Sequence, residues 1–182
     1  GTLDFSGVGT LQFTGSCTVS SPLASTSFTA GSGAVRYAQT SDCSVGVGTY
    51  NILRINVSPA ATVATLGGSM TLPALSVLDL LTGTFDLGSV SLTCNESFTV
   101  ASGATLRLRD LTNDGVSAPV LVIADTKSVT VNGTLQTSTV DPDDSADWPT
   151  IRSATPTTDR FGFTVSSTGT VNVNGLVFNS PN

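Results

Sequence analysis

The sequence predicts an all-β fold wound as a right-handed parallel β-helix, a β-solenoid. Three observations predict it. A phrase of Gly, then Thr or Ala, then alternating apolar and polar residues recurs along the chain. Many alternating stretches are followed by short Ser-Gly, Ser-Thr-Gly or Asn-Gly turns, not by long crossovers. Charged residues make up only 11%, against about 25% in ordinary globular proteins. That scarcity suits strands stacked on like neighbours, where like charges would repel.

The elements follow in order. Gly1-Thr-Leu-Asp-Phe5 and Gly9-Thr-Leu-Gln-Phe13 open the chain as two alternating strands. Alternation puts Leu3 and Phe5 on one face and Thr2 and Asp4 on the other. Gly48-Thr-Tyr-Asn-Ile-Leu53 is a related phrase, and Met70–Leu72 a short strand after it. Gly83-Thr-Phe-Asp-Leu87, Val90–Leu92, Phe98–Val100 and Gly103-Ala-Thr-Leu-Arg-Leu108 fill the middle. Val129–Val131, Gly133-Thr-Leu-Gln-Thr137, Phe163–Val165, Gly169-Thr-Val-Asn-Val173 and Leu176–Phe178 complete the series. In each phrase the glycine turns the chain and the alternation makes a half-buried strand. Leu3, Phe5, Leu106, Leu108, Val171 and Val173 are the expected inward residues.

The phrases at 48, 83, 103, 133 and 169 lie 35, 20, 30 and 36 residues apart. Such spacing fits roughly seven to nine coils of about 20–25 residues with insertions. A β-sandwich is the alternative, since short strands at intervals of about ten residues fit it too. The Cys…Trp…Cys signature of an immunoglobulin sandwich is absent, because Trp148 does not lie between Cys17 and Cys43. Residues 1–182 read as a single domain. Thr139 to Thr158, with its Asp and Pro residues, reads as a loop excursion, and Leu111 to Pro119 as a shorter one.

Gly48-Thr-Tyr-Asn-Ile-Leu, Thr65-Leu-Gly-Gly-Ser-Met-Thr-Leu72 and Gly103-Ala-Thr-Leu-Arg-Leu108 together carry a family cadence. They resemble the repeats of large bacterial surface proteins. The tail from Arg160 to Phe178 is similar to coils of secreted parallel β-helix proteins. The resemblance covers about two thirds of the chain and leaves the first 47 residues as an atypical capping or joining segment. It implies a secreted or cell-surface solenoid of the filamentous-adhesin or autotransporter-passenger kind.

Composition excludes several functions. The net charge is −6 with seven Lys and Arg, so there is no basic patch for nucleic acid or an anionic membrane. No apolar run reaches the roughly 20 residues that span a bilayer. The chain opens directly on a strand, so any signal peptide was removed or lies upstream. Histidine is absent, which removes His-dependent nucleophilic catalysis and histidine metal sites.

The remaining polar groups are weighed against ordinary structural roles. Asp141, Asp143, Asp144, Ser145 and Asp147 alternate oxygen ligands as calcium loops do, yet Ala146 and Arg152 stand where glycine and glutamate belong. An acidic, solvated loop tip is the expected reading. Asp4 and Asp86 point outward, where aligned acids would suit polysaccharide hydrolysis; solvated outward positions are expected instead. Arg107, Arg109 and Asp110 form a catalytic set in name only. Thr99, Thr130 and Thr164 are too scattered for an ordered hydroxyl surface. Trp148 and Tyr37 offer a sugar platform only if exposed. Asn95-Glu-Ser97 and Asn132-Gly-Thr134 match the glycosylation sequon by chance. Cys17 and Cys43, 26 residues apart, either staple neighbouring coils or fill the core with Cys94 as buried thiols.

The expected function is therefore a structural or adhesive surface module, not an enzyme, with no catalytic, cofactor or metal residues. Its expected partners are itself or neighbouring repeats by end-to-end stacking, and surface glycans. A carbohydrate-active enzyme or a glycan-binding module is the alternative.

Overall fold

The structure, a computed structural model, describes residues 3–4, 9–15, 28–29, 32–110, 118–141, 143–155 and 160–179; side chains of 3, 4, 28, 29 and 145 are outside the description. It is all-β with parallel sheets. In chain order the first strands are β1 (Leu3–Asp4), β2 (Thr10–Gly15), β3 (Phe28–Thr29), β4 (Ala34–Gln39) and β5 (Cys43–Val45). Then come β6 (Ile52–Asn56), β7 (Val63–Leu66), β8 (Met70–Leu72), β9 (Val77–Asp86) and β10 (Ser91–Cys94). They are followed by β11 (Phe98–Val100), β12 (Ala104–Arg109) and β13 (Val120–Ile123). The last two runs are β14 (Ser128–Val131), β15 (Thr134–Ser138), β16 (Thr150–Ser153), and β17 (Gly162–Val165), β18 (Thr170–Asn172), β19 (Val177–Asn179).

Among the described residues, every strand pairing is parallel. A sandwich is built of antiparallel hairpins, so that alternative is not what the chain adopts. A 12-stranded sheet has two arms joined by β9. The first arm stacks β2, β4, β6, the start of β9, β11, β14 and β17; the second stacks β5, β7, the end of β9, β12, β15 and β18. A 5-stranded sheet stacks β8, β10, β13, β16 and β19. From β6 onward the chain visits first arm, second arm and five-stranded sheet in that order, then returns one strand further along. β1 and β3 pair in a sheet of their own.

The core follows from register. Leu11, Val35, Leu53 and Leu78 stack in one inward column of the first arm, and Phe13, Tyr37, Ile55 and Leu80 in the next. The second column continues through Val100, Val131 and Val165. In the second arm Cys43, Ala64, Phe85, Leu106, Leu135 and Val171 form a column. The five-stranded sheet contributes Met70, Leu92, Leu121, Ile151 and Phe178. Most of these side chains are buried together, and Val165, Val171 and Phe178 are more than a third exposed. Each fully buried aliphatic or aromatic residue contributes roughly 1.5–3 kcal/mol.

Three glycines, Gly83, Gly133 and Gly169, make the corner between the arms. β9 passes between arms with a register shift opposite Ile55/Asn56 and a positive φ of 76° at Gly83. A Cβ there would sit 2.4 Å from the Val57 side chain. At the same corner on later passes, a Cβ on Gly133 would meet the Ala101 and Ala104 carbonyl oxygens at 2.2 Å, and one on Gly169 the Val131 oxygen at 2.1 Å.

Several expectations need correction. Leu106 and Leu108 are buried, but Val171 and Val173 are 38% and 53% exposed. Among the described residues β18 pairs with β15 alone. The side chains of Leu3 and Phe5 lie outside the described residues. The expected excursion over 139–158 is interrupted: Thr150–Ser153 is a strand, because β13 offers an unpaired ladder to it. The expected excursion at 111–119 falls largely outside the described residues.

Candidate functional site

The most organised polar constellation sits on the outward side of the second arm. Register places Thr84, Thr105, Thr134 and Thr170 in one column, and Asp86, Arg107, Gln136 and Asn172 in the column two residues on. Arg109 lies two residues beyond Arg107 on β12. Asp86 Oδ2 accepts hydrogen bonds from Arg107 Nη2 at 2.8 Å and Arg109 Nη2 at 2.7 Å. Asp86 Oδ1 accepts one from the Gly88 backbone N–H at 3.0 Å. Asp86 is wholly buried while the two arginines remain partly exposed. Asp110, also buried, accepts a hydrogen bond from Ser89 at 3.4 Å.

This corrects the sequence reading of Asp86 as a solvated acid. A buried carboxylate is stable only when its charge is met by hydrogen bonds. Here two guanidinium groups and one backbone N–H meet it. The signal was present in the chain. Aligning Thr84-Phe-Asp86 with Thr105-Leu-Arg107 on threonine sets acid opposite base; aligning the phrases on glycine hides it. Asp4 belongs to the separate β1–β3 sheet, so it shares no ladder with Asp86. Chemically the constellation is a clamp between successive passes, with both carboxylate oxygens committed.

The acidic loop does not gather its oxygens. Asp141 Oδ1 accepts the Asp143 N–H at 3.0 Å, and Asp144 Oδ1 accepts the Ala146 N–H at 2.9 Å. Asp143 and Asp144 are exposed, while Asp147, ending the 3-10 turn Ser145–Asp147, is buried. Among the described residues no group of three His, Cys, Asp or Glu side chains is placed to hold a metal ion.

Tyr37 is fully buried, so it offers no sugar platform. Its hydroxyl lies 3.3 Å from that of Tyr50 and accepts the Gly46 N–H at 3.0 Å, while Tyr50 donates to the Gly46 carbonyl. Burial pushes both phenols above their ordinary range. Trp148 is half-buried against Gly175. Cys43 and Cys94 carry free, buried thiols, so the staple to Cys17 is not formed; Cys17 itself lies outside the described residues. Burial, helped by the charge of Asp42, pushes the Cys43 thiol up to about 11. Burial alone raises that of Cys94. The Lys127 ammonium, at 2.7 Å, and the Leu75 N–H hold the Glu96 carboxyl below the usual range.

Thr99, Thr130 and Thr164 are not scattered. They are register partners on β11, β14 and β17, one column of three outward hydroxyls. Asn95 and Asn132 sit half-buried at turns. No helix among the described residues is long and apolar enough to cross a membrane.

Compared with known proteins, the chain matches no protein family, no curated protein and no solved structure.

Proposed function

We propose that the parallel sheets close into a right-handed β-solenoid, and that it serves as a structural or adhesive module of an extracellular or cell-surface protein. It acts either as one length of a longer array or as a subunit stacking end to end. The observation that carries this reading is the continuity of the inward columns. One runs from Phe13 to Val165 through every pass of the first arm without a polar interruption other than the Tyr37 hydroxyl. A chain built this way gains length, not a pocket, with each pass. Right-handed winding is what nearly all parallel crossovers adopt. The adhesin-like cadence of the sequence supports a surface location. Against polysaccharide cleavage stands the engagement of both Asp86 oxygens, where paired working carboxylates are required.

Small-angle scattering and a surface-glycan array test the reading together. A rod of constant cross-section, about 30 Å long from seven strands at ~4.8 Å spacing, with glycan retention or no glycan reaction at all, is the expected result. A compact globule, or release of reducing ends from a polysaccharide, overturns it.

A further inference from the structure

Resting on the solenoid reading, we infer that the outward side of the first arm at Arg36 and Arg54 is a binding site for an acidic polysaccharide, with a carboxylate or sulfate group of the sugar chain set between the two guanidinium groups. Register stacks Arg36 of β4 directly on Arg54 of β6. Like charges opposite one another on neighbouring strands repel, so the pairing costs the fold stability.

The two arginines are answered unequally. Arg54 Nε donates to Asp79 Oδ2 at 2.8 Å. Among the described residues Arg36 forms no ion pair. Its Nη1 donates to Gln12 Oε1 at 3.5 Å, beyond the usual range of a hydrogen bond, and its buried Nε has no acceptor. From Gly1 to Ser41 the one acid in the sequence is Asp4, which belongs to the separate β1–β3 pair. Two cations therefore share one carboxylate on a chain whose net charge is −6. An anion supplied from outside relieves the repulsion, and guanidinium groups hold oxyanions through paired N–H donors.

The surroundings favour a sugar chain as its carrier. The outward column through the arginines runs Gln12, Arg36, Arg54, Asp79, Thr99 and Thr130. It sets a hydrogen-bonding side chain on every pass, at ~4.8 Å spacing, close to the rise per residue of an extended polysaccharide. Two residues to either side of Arg36 on β4 stand Ala34 and Ala38, too short to wall the column off. Asp79 engages Arg54 through Oδ2 and keeps Oδ1 to accept a sugar hydroxyl.

Calorimetric titration of the whole chain with oligogalacturonate and with sulfated dextran tests this, against neutral dextran and oligoglutamate of matched length. The expected result is saturable binding of the uronate, the sulfated chain or both, which identifies the group held. Arg36→Gln should weaken it by more than about tenfold. Arg160→Gln, which removes the same charge from an exposed position elsewhere, should leave it unchanged. Arg36→Gln breaks no ion pair, so the far-ultraviolet dichroism spectrum should be retained. If that variant does not fold, Arg36→Lys carries the test: it keeps the charge, loses the fork and must still weaken binding. Failure of both acidic chains to bind overturns the proposal. So does equal binding of neutral dextran or oligoglutamate, equal weakening by Arg36→Gln and Arg160→Gln, or undiminished binding by Arg36→Lys. Any of these beside rod-like scattering would end this site alone; a compact globule would end the solenoid reading with it.

Discussion

Asp86 is the residue on which charge and packing meet. Its carboxylate is wholly out of water and its oxygens are taken by Arg107, Arg109 and Gly88. Removing one member of a buried, hydrogen-bonded ion pair costs about 3–5 kcal/mol, because the partner charge is left unmet. Asp86→Asn should therefore lower the unfolding free energy in urea by about 3 kcal/mol. Arg109→Met should cost only about 1 kcal/mol, since Arg107 still answers the carboxylate. The Cys43 thiol gives a pH dependence. Its folded pKa is raised from the ordinary 9.0 to about 11, so between those values the unfolded chain has lost a proton that the folded one keeps. The stability contributed by this thiol is complete below pH 9 and declines as pH rises toward 11. Urea midpoints across that interval, compared with Cys43→Ala in a Cys17→Ser background, should show the decline only when Cys43 is present.

At the scale of elements, the corner glycines are the positions that side chains cannot take. Gly133→Ala and Gly169→Ala each force a methyl within about 2.2 Å of a carbonyl oxygen on the preceding pass. Each should cost upward of about 2 kcal/mol, read from thermal or urea unfolding, whereas alanine at exposed Gly9, with nothing within 4 Å, should be nearly neutral. The strands themselves were legible: Met70–Leu72 and Phe98–Val100 emerge from alternation alone with their observed bounds. Their assignment to faces was not. The phrase at Gly83, Gly103, Gly133 and Gly169 marks entry into the second arm, but Gly9-Thr and Gly48-Thr lead into the first arm through β2 and β6. Alternation fixes which side of a strand is inward, not which sheet the strand joins. Thr150–Ser153 was hidden for another reason. Beside Trp148 and Pro149 its four residues, though β-branched Thr150 and Ile151 are among them, are too short an alternation to mark a strand, and the ladder of β13 pairs with them. Polar partners such as Asp86 and Arg107 required the length of the pass between them, which varies from one pass to the next.

The whole molecule is held by contacts between neighbouring passes. Gln12 and Arg36, paired across the first arm, lie 24 residues apart, and Arg54 and Asp79 lie 25 apart. Ser97 and Ser128 lie 31 apart. Strands were evident from composition and the parallel winding was suggested by the recurring phrase and short turns, while the low charge has a structural counterpart in long neutral ladders. Arg54 is answered by Asp79 and Lys127 by Glu96, although Arg36 stacks on Arg54. What sequence could not supply was the uncovered state of Val171 and Val173, since inward periodicity is the same in a covered pass and an uncovered one.

The columns of the core also set the unit in which this chain can change length. Val129 and Phe163 occupy the same place on successive passes. Excising Val129–Gly162 joins Ser128 to Phe163 and lays β17, β18 and β19 on β11, β12 and β13, with every inward residue still inward. That shortened chain should fold cooperatively by dichroism. Excising one residue more, through Phe163, turns the next strand over and exposes its apolar side, so that variant should aggregate or remain unfolded. Whole turns can be lost or gained as units of inheritance, while the loss of a single residue within a strand is the lesion the architecture does not absorb.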